Sequence, residues 1–178
     1  AALAAADARR QLILSTDNAA EVGLIAQSQS HTAQHLLEVC AFLLGQGELP
    51  VAVTPPAAGN AYENADLRDI IGQEQAKRAL EIAAAGGHNL LLIGPPGTGK
   101  TMLASRLTGL LPPLTEPEAL ESLAIASLQH PVLSALPWRQ RPFRAPHHSA
   151  SIAALVGGGS LPRPGEISMA HNGVLFLD

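Results

Sequence analysis

HNLLLIGPPGTGKT, residues 88–101, is the stretch that decides the fold of this chain. Residues 94–101 match G-x-x-x-x-G-K-[ST], a pattern that predicts a phosphate-binding loop when a strand precedes it and a helix follows it. The apolar run at 88–93 predicts the strand, and KTMLASRLTGLL at 100–111 predicts the helix, which the following Pro-Pro pair ends. The stretch therefore predicts a strand–loop–helix unit inside an α/β domain.

The chemistry that this loop predicts is the binding of a triphosphate. Consecutive backbone N–H groups and a helix N-terminus stabilise phosphate charge, and glycines let the backbone wrap closely around it. Lys100 is the candidate for contact with the β- and γ-phosphates, and Thr101 offers its hydroxyl to Mg²⁺. The predicted nucleotide-binding residues here are Gly94, Pro95, Pro96, Gly97, Thr98, Gly99, Lys100, Thr101 and Met102.

A second candidate metal ligand stands at the end of VLFLD, residues 174–178. In P-loop proteins, a carboxylate at the tip of a neighbouring parallel strand holds Mg²⁺ opposite the hydroxyl of the loop. We therefore predict that residues 174–178 form a buried strand and that Thr101 and Asp178 share the Mg²⁺. The predicted catalytic residues are Lys100 and Asp178.

The composition indicates a core of small aliphatic side chains and no strong charge bias. The 178 residues are 47% hydrophobic and 3% aromatic, with a net charge of −4. This composition suits helices packed on a buried sheet, and the net charge favours neither a membrane surface nor a nucleic acid as partner. No apolar run reaches the ~18 to 20 residues of a membrane span, and the opening AALAAADARR does not resemble a signal peptide. We expect a cytoplasmic protein without membrane contact.

The sequence indicates three segments along the chain. Residues 1–46 alternate helix-like and strand-like runs in the order α-β-α-α, and the single cysteine, Cys40, is predicted to be buried on the apolar stripe of the last helix. Residues 47–66 are rich in Pro and Gly and predict a linker. Residues 67–178 hold the phosphate loop, a helix before it, a helix capping box at 115–118 and the terminal strand.

Three long stretches, at 69–107, 141–151 and 154–178, carry a resemblance to a known family. In them the chain resembles the AAA+ ATPases of the magnesium-chelatase I-subunit-related group, most closely the ComM-type (YifB-like) competence proteins. The resemblance implies a partial P-loop AAA+ αβα sandwich with a parallel sheet, and ATP and Mg²⁺ as cofactors. It also implies that Ile71 and Gly72 lie against the adenine.

The same resemblance carries expectations about the whole protein. It implies that residues 1–46 close a Lon-protease-like α/β domain and that the full-length protein is an ATP-driven motor, hexameric, that acts on DNA as a helicase in branch migration during natural transformation. A magnesium-chelatase-type motor subunit and a protein-handling Lon-like ATPase remain as alternatives. Because the first residue is not Met and no Glu follows Asp178, we expect a truncated fragment that binds nucleotide without hydrolysing it.

One interval predicts a locally positive surface. No carboxylate occurs between Glu121 and Glu166, while four arginines and three histidines fall there. The alternatives for these side chains are solvated loop charges, subunit contacts or structural hydrogen bonds. A zinc site at the two adjacent histidines is not favoured, because neighbouring side chains on an extended segment point to opposite sides. The candidate DNA contacts are Arg141, Arg144, His147 and His148.

Overall fold

The computed structural model describes residues 2–25, 28–53, 66–129, 138–159 and 162–178. The chain divides into two compact units, Ala1–Asn60 and Ala61–Asp178. Each unit mixes helices with short strands and holds a parallel strand pair. The mixed α/β class predicted from the sequence is therefore confirmed, while the domain boundaries at 46 and 66 stay a prediction. Among the described residues, no helix combines the length and apolar character needed to cross a bilayer.

The first unit contains a parallel strand pair joined by a short helical crossover. Its elements are α1 (Ala2–Asp7), β1 (Leu12–Ser15), a 3₁₀ turn at Thr16–Asn18, α2 (Ala19–Val22), β2 (Ser30–Ala33) and α3 (Leu36–Leu43). In the pair, Leu12 lies opposite Ser30 and Ser15 opposite Ala33. β2 was not predicted, because its residues, SHTA, are mostly polar. The buried hydroxyls of Ser30 and Thr32 are hydrogen-bonded instead: Ser30 shares a bond with the Ser28 hydroxyl, and Thr32 donates to the Pro50 carbonyl.

Part of the predicted linker packs along β2. The Thr32 N–H donates to the Pro50 carbonyl at 2.8 Å, and the Ala52 N–H donates to the Ser30 carbonyl at 2.8 Å. Leu49 and Ala52 are buried as a result. Residues 54–65 of the linker lie outside the described residues.

The prediction that Cys40 is buried is wrong. Cys40 is exposed on α3, and four leucines at the ends of this helix are exposed as well. The periodic spacing of apolar residues did mark a helix. It did not determine whether anything covers the apolar face, since that depends on packing between elements rather than on local spacing.

The second unit holds most of the helices and the phosphate loop. Its elements are a 3₁₀ turn at Leu67–Asp69, α4 (Glu74–Gly86), α5 (Lys100–Leu110), α6 (Glu116–Ala126), β3 (Phe143–Arg144), α7 (Ile152–Val156), β4 (Gly157–Gly158), β5 (Arg163–Pro164), α8 (Glu166–Met169) and β6 (Val174–Leu175). The helix predicted after the loop is confirmed as α5. The capping box of α6 is confirmed too, because the Thr115 N–H donates to Glu118 Oε2 at 2.9 Å.

The core of this unit lies where α4 packs on α5. Leu80 of α4 and Leu103 of α5 are 1% and 3% exposed, and Leu67 and Ile70 from the preceding turn complete the buried cluster. Burying a side chain of this size contributes about 1.5–3 kcal/mol. The two helices that flank the phosphate loop are therefore fixed to each other through their apolar faces.

The strand predicted at residues 88–93 is not formed. The segment has no strand assignment, and Leu91 and Ile93 are 80% and 89% exposed. A strand requires backbone pairing with a neighbour, and no described segment pairs with this one. The prediction of a buried strand at residues 174–178 is wrong in two respects, because β6 covers only Val174–Leu175 and none of the five residues is buried.

β6 pairs in parallel with β3, so that Phe143 lies opposite Val174 and Arg144 opposite Leu175. The two backbone segments approach closely just before this pairing begins, at Pro142 and Gly173. A Cβ atom on Gly173 would overlap the backbone oxygen of Pro142, which explains why glycine occupies this position.

Candidate phosphate-binding site

The phosphate loop at residues 94–99 is built by glycines in the left-handed region. Gly97 and Gly99 have φ values of +80° and +85°, a conformation that other residues rarely adopt. The Thr98 hydroxyl donates to the Pro95 carbonyl at 2.9 Å and so closes the turn. Gly99 is the residue that precedes the first turn of α5, and the helix therefore begins with its N-terminal N–H groups at the loop.

Lys100 lies folded against the loop. Its Nζ donates to the carbonyl oxygens of Gly94 at 3.0 Å and Pro95 at 3.1 Å. Both acceptors are neutral backbone groups in an exposed environment, so the ammonium charge has no carboxylate partner among the described ion pairs. This arrangement leaves a cation, a glycine turn and a helix N-terminus together, which is the combination that binds phosphate.

The structure brings Lys100 and Asp178 to one groove. A groove of about 590 Å³ runs between residues 87–92 on one side and 172–178 on the other, with Lys100 and Asp178 both on its lining. Asp178 is exposed at the end of the segment that follows β6, and Thr101 is exposed in the first turn of α5. Thr101 is not among the residues that line the groove, so its pairing with Asp178 around Mg²⁺ stays a prediction.

The residues predicted to contact adenine lie at the start of α4. Ile71 is 96% exposed and Gly72 has a φ of +71°. Met102 is about half exposed, and its Cε lies 3.6 Å from where a Cβ on Gly99 would stand. Gln73, the residue after Gly72, was not predicted as part of the site. Its side-chain Nε2 donates to the Thr98 carbonyl at 2.8 Å and so connects this segment to the phosphate loop.

The two arginines predicted to contact DNA make intrachain bonds instead. Arg144 forms a bidentate pair with Glu166, at 2.5 Å from Nε to Oε2 and 2.6 Å from Nη2 to Oε1. Arg141 donates to the backbone oxygens of Pro112 at 2.7 Å and Asn172 at 2.8 Å. Each guanidinium therefore holds separate segments of the second unit together.

The expected positive surface is partly neutralised, because two of the four arginines of the interval, Arg141 and Arg144, have carboxylate partners. Glu118 of α6 lies 3.8 Å from the Arg141 guanidinium, and Glu166 at the start of α8 pairs with Arg144. The interval lacks carboxylates in sequence, but folding brings these two carboxylates from its two sides. The hydrogen bonds from Arg144 hold the pKa of Glu166 below its ordinary value, and the same pair raises the pKa of Arg144.

The two adjacent histidines do not point to opposite sides, contrary to the sequence analysis. The rings of His147 and His148 have centroids 4.0 Å apart, because the chain turns here rather than continuing as a strand. His147 Nδ1 lies 2.7 Å from the Ser149 hydroxyl, and both rings are exposed. The described part of the chain contains no group of three or more metal-ligating side chains, so the pair alone makes no metal site.

Comparison with known proteins places these features in a family. The family described as magnesium chelatase, subunit ChlI, matches residues 66–178. The protein YifB of Salmonella typhimurium is 63% identical over 171 residues, which cover 96% of this chain and 34% of YifB. The competence protein ComM of Haemophilus influenzae is 58% identical over 182 residues, covering 100% of this chain and 36% of ComM. The chain thus spans about a third of the length of these curated relatives.

A shorter part of the chain is similar to a protease. The Archaeal Lon protease of Methanothermobacter thermautotrophicus is 41% identical over 71 residues, covering 40% of this chain and 11% of the protease. Because 71 residues exceed the length of the predicted Lon-like segment at 1–46, the similarity includes residues beyond that segment.

The Arg144–Glu166 pair predicts a pH dependence of stability. Because the pKa of Glu166 is lowered in the folded state, the pair stabilises the fold above the ordinary pKa of 4.5, and this contribution is lost as the pH falls through the lower folded value. As the pH falls below 4.5, the unfolding free energy of Glu166→Gln should decrease less than that of the wild type, by about 1 kcal/mol at most because the pair is partly screened by solvent. Urea titrations at several pH values measure this difference.

The control for that titration is Glu81→Gln, which removes the carboxylate of an exposed pair with Arg78. This variant should follow the wild-type pH profile. A Glu166→Gln profile that is parallel to the wild type would contradict the assignment of the pair as a stabilising contact.

Proposed function

We propose a nucleotide-binding function from one premise: this chain belongs to the family of the magnesium chelatase subunit ChlI. On this proposal the chain is the ATP-binding part of an AAA+ motor ATPase, with ATP and Mg²⁺ as its cofactors. The observation that carries the proposal is the position of Lys100, whose ammonium group rests on two loop carbonyls beside the left-handed Gly97 and Gly99.

The residues present fit a magnesium nucleotide. The Lys100 ammonium is bonded to two exposed neutral carbonyls, so it can exchange them for phosphate oxygens, which bind a cation more strongly. A threonine hydroxyl and a carboxylate are oxygen ligands of the kind that Mg²⁺ takes. On this proposal Thr101 and Asp178 hold the metal.

Each part of the site has a separate task on this proposal. Bound ATP supplies the phosphoryl group whose transfer to water drives the motor. The loop amides and the N-terminus of α5 stabilise phosphate charge, Lys100 orients the β- and γ-phosphates, and Ile71 and Gly72 border the base. Ile71 is almost fully exposed, and covering its apolar surface with a base would stabilise the complex.

For the whole protein we propose a motor that acts on DNA and works as a homo-oligomer, a hexamer. The support is the 58% identity to a protein named as a competence protein. Arg141 and Arg144 are engaged within the chain, so their proposed role becomes the positioning of β3 and β6. The exposed side chains of the same region, Arg163, His147 and His148, are the stronger candidates for phosphate contact.

Two other client classes are each favoured by one observation. The family match favours a motor subunit of the magnesium-chelatase type, whose client is another protein and a porphyrin. The similarity to an archaeal Lon protease favours a motor that handles polypeptide. All three share the nucleotide site, and they differ in what the oligomer contacts.

The nucleotide proposal predicts a specific effect of Lys100→Ala. Removing the charged donor should weaken the binding of Mg·ATP by about tenfold to a hundredfold, which is the range for a hydrogen bond to a charged group. Lys77→Ala makes the same charge change on α4, where Lys77 pairs with Glu74, and should bind as the wild type does. Fluorescence titration with a labelled ATP analogue measures both variants, and equal affinities in all three proteins would refute the nucleotide site.

The DNA proposal predicts a salt-dependent interaction. Anisotropy of labelled forked DNA should rise on addition of the nucleotide-loaded chain, and Arg163→Ala should reduce the slope of log affinity against log salt by about 1. Arg78→Ala, which removes an exposed arginine on α4, serves as the control and should leave the slope unchanged. Absence of DNA binding by the nucleotide-loaded chain would favour a protein or porphyrin client instead.

A further inference from the structure

Gln73 has a backbone conformation that needs an explanation. Its φ and ψ are 56° and 40°, the left-handed region, and Gly72 before it has a φ of +71°. A residue with a Cβ is strained in this region, and such strain persists only where the surroundings hold it. Gln73 is the residue that precedes α4, yet its side chain does not cap that helix.

The side chain of Gln73 leaves its own helix and reaches the phosphate loop. Its Nε2 donates to the carbonyl oxygen of Thr98 at 2.8 Å, across 25 residues of sequence. A Cβ atom on Gly99 would stand 3.8 Å from the same Nε2, so the amide lies beside the Thr98–Gly99 peptide. The left-handed turn at Gly72 and Gln73 is therefore what aims the side chain at the loop.

Holding the Thr98 carbonyl also sets the direction of the next N–H group. A peptide unit is planar and trans, so the carbonyl of Thr98 and the N–H of Gly99 point in opposite directions. With the carbonyl bonded to Gln73, the Gly99 N–H points away from Gln73. The other end of Gly99 is fixed as well, because its carbonyl accepts the Leu103 N–H at 2.9 Å in the first turn of α5.

We infer that Gln73 is a positioning residue of the phosphate loop: its side-chain amide orients the Thr98–Gly99 peptide so that the Gly99 N–H donates to a nucleotide β-phosphate. The inference rests on the proposed nucleotide-binding function. It adds that the segment at the base and the loop at the phosphates are mechanically connected, since Gln73 follows directly after Ile71 and Gly72 and bonds to the loop.

Gln73→Met tests this inference in the full chain. Methionine has nearly the same length and the same backbone strain but no donor, so only the hydrogen bond to Thr98 is removed. We expect the affinity for Mg·ADP to fall about tenfold, the upper range for one neutral hydrogen bond, and the affinity for AMP to stay unchanged because AMP has no β-phosphate. Competition against a fluorescent ADP analogue measures both affinities.

Two further variants accompany this test. Gln73→Asn is a second form of the experiment, because asparagine tolerates the left-handed region well while its amide is one methylene too short to reach Thr98. It should show the same selective loss for ADP. Gln75→Ala, at an exposed position of α4 two residues further on, is the control and should keep wild-type affinity for both nucleotides.

The outcomes separate the inference from the function on which it rests. A loss for ADP alone in both Gln73 variants supports the positioning role. Equal losses for ADP and AMP indicate a general structural role and overturn the inference, as does wild-type affinity for ADP in Gln73→Met. If the wild type and Gln75→Ala bind neither nucleotide, the proposed function fails and the inference falls with it.

Discussion

The packing of α4 against α5 is the constraint on which the candidate site depends. Leu80 and Leu103 meet in the core of the second unit and are almost completely buried. Each of these helices begins at one part of the site, since α4 follows the Ile71–Gly72 segment and α5 follows the phosphate loop. Because the helices are fixed to each other, the two segments that precede them are held close enough for one side-chain amide to join them. The glycine loop provides the binding groups, and the apolar core keeps them in place.

Two arginines of the second unit connect segments of the chain rather than forming the DNA-contacting surface that the sequence suggested. The guanidinium groups of Arg141 and Arg144 connect elements that are distant in sequence, and both have a carboxylate nearby. Such half-buried charged hydrogen bonds add modest stability and restrict where β3 and β6 can lie. β6 in turn leads to Asp178 at the groove that Lys100 also lines. These arginines therefore act on the candidate site through position, whatever client the whole protein contacts.

Local patterns were predicted well, and features that depend on distant partners were not. The loop, α5 and the capping box of α6 follow from spacing within a few residues, and all three are found in the structure. β2 was missed because its polar residues are satisfied by a segment that comes later in the chain. The strand at 88–93 was expected from its apolar run, but an apolar run does not create a pairing partner.

The same distinction between local patterns and distant contacts holds for the residues of the candidate site. The glycines and Lys100 were found from their pattern alone. Gln73 carries no such pattern, because glutamine is common on helix surfaces and its role depends on a bond across 25 residues. The only hint in the sequence was its position between Gly72 and the first residue of a predicted helix. The pairing of Arg144 with Glu166 across 22 residues was likewise invisible to local spacing.

The measurement that tests the central claim most directly is the ¹⁵N–¹H spectrum of the labelled chain during titration with Mg·ATP. If the loop between the packed helices is the nucleotide site, the largest changes occur at the amides of residues 94–102, with Gly97, Gly99 and Lys100 foremost, and the amides of β1 and β2 stay unchanged. A spectrum that does not change, or one whose largest changes lie outside the loop and the Ile71–Gln73 segment, would contradict the account.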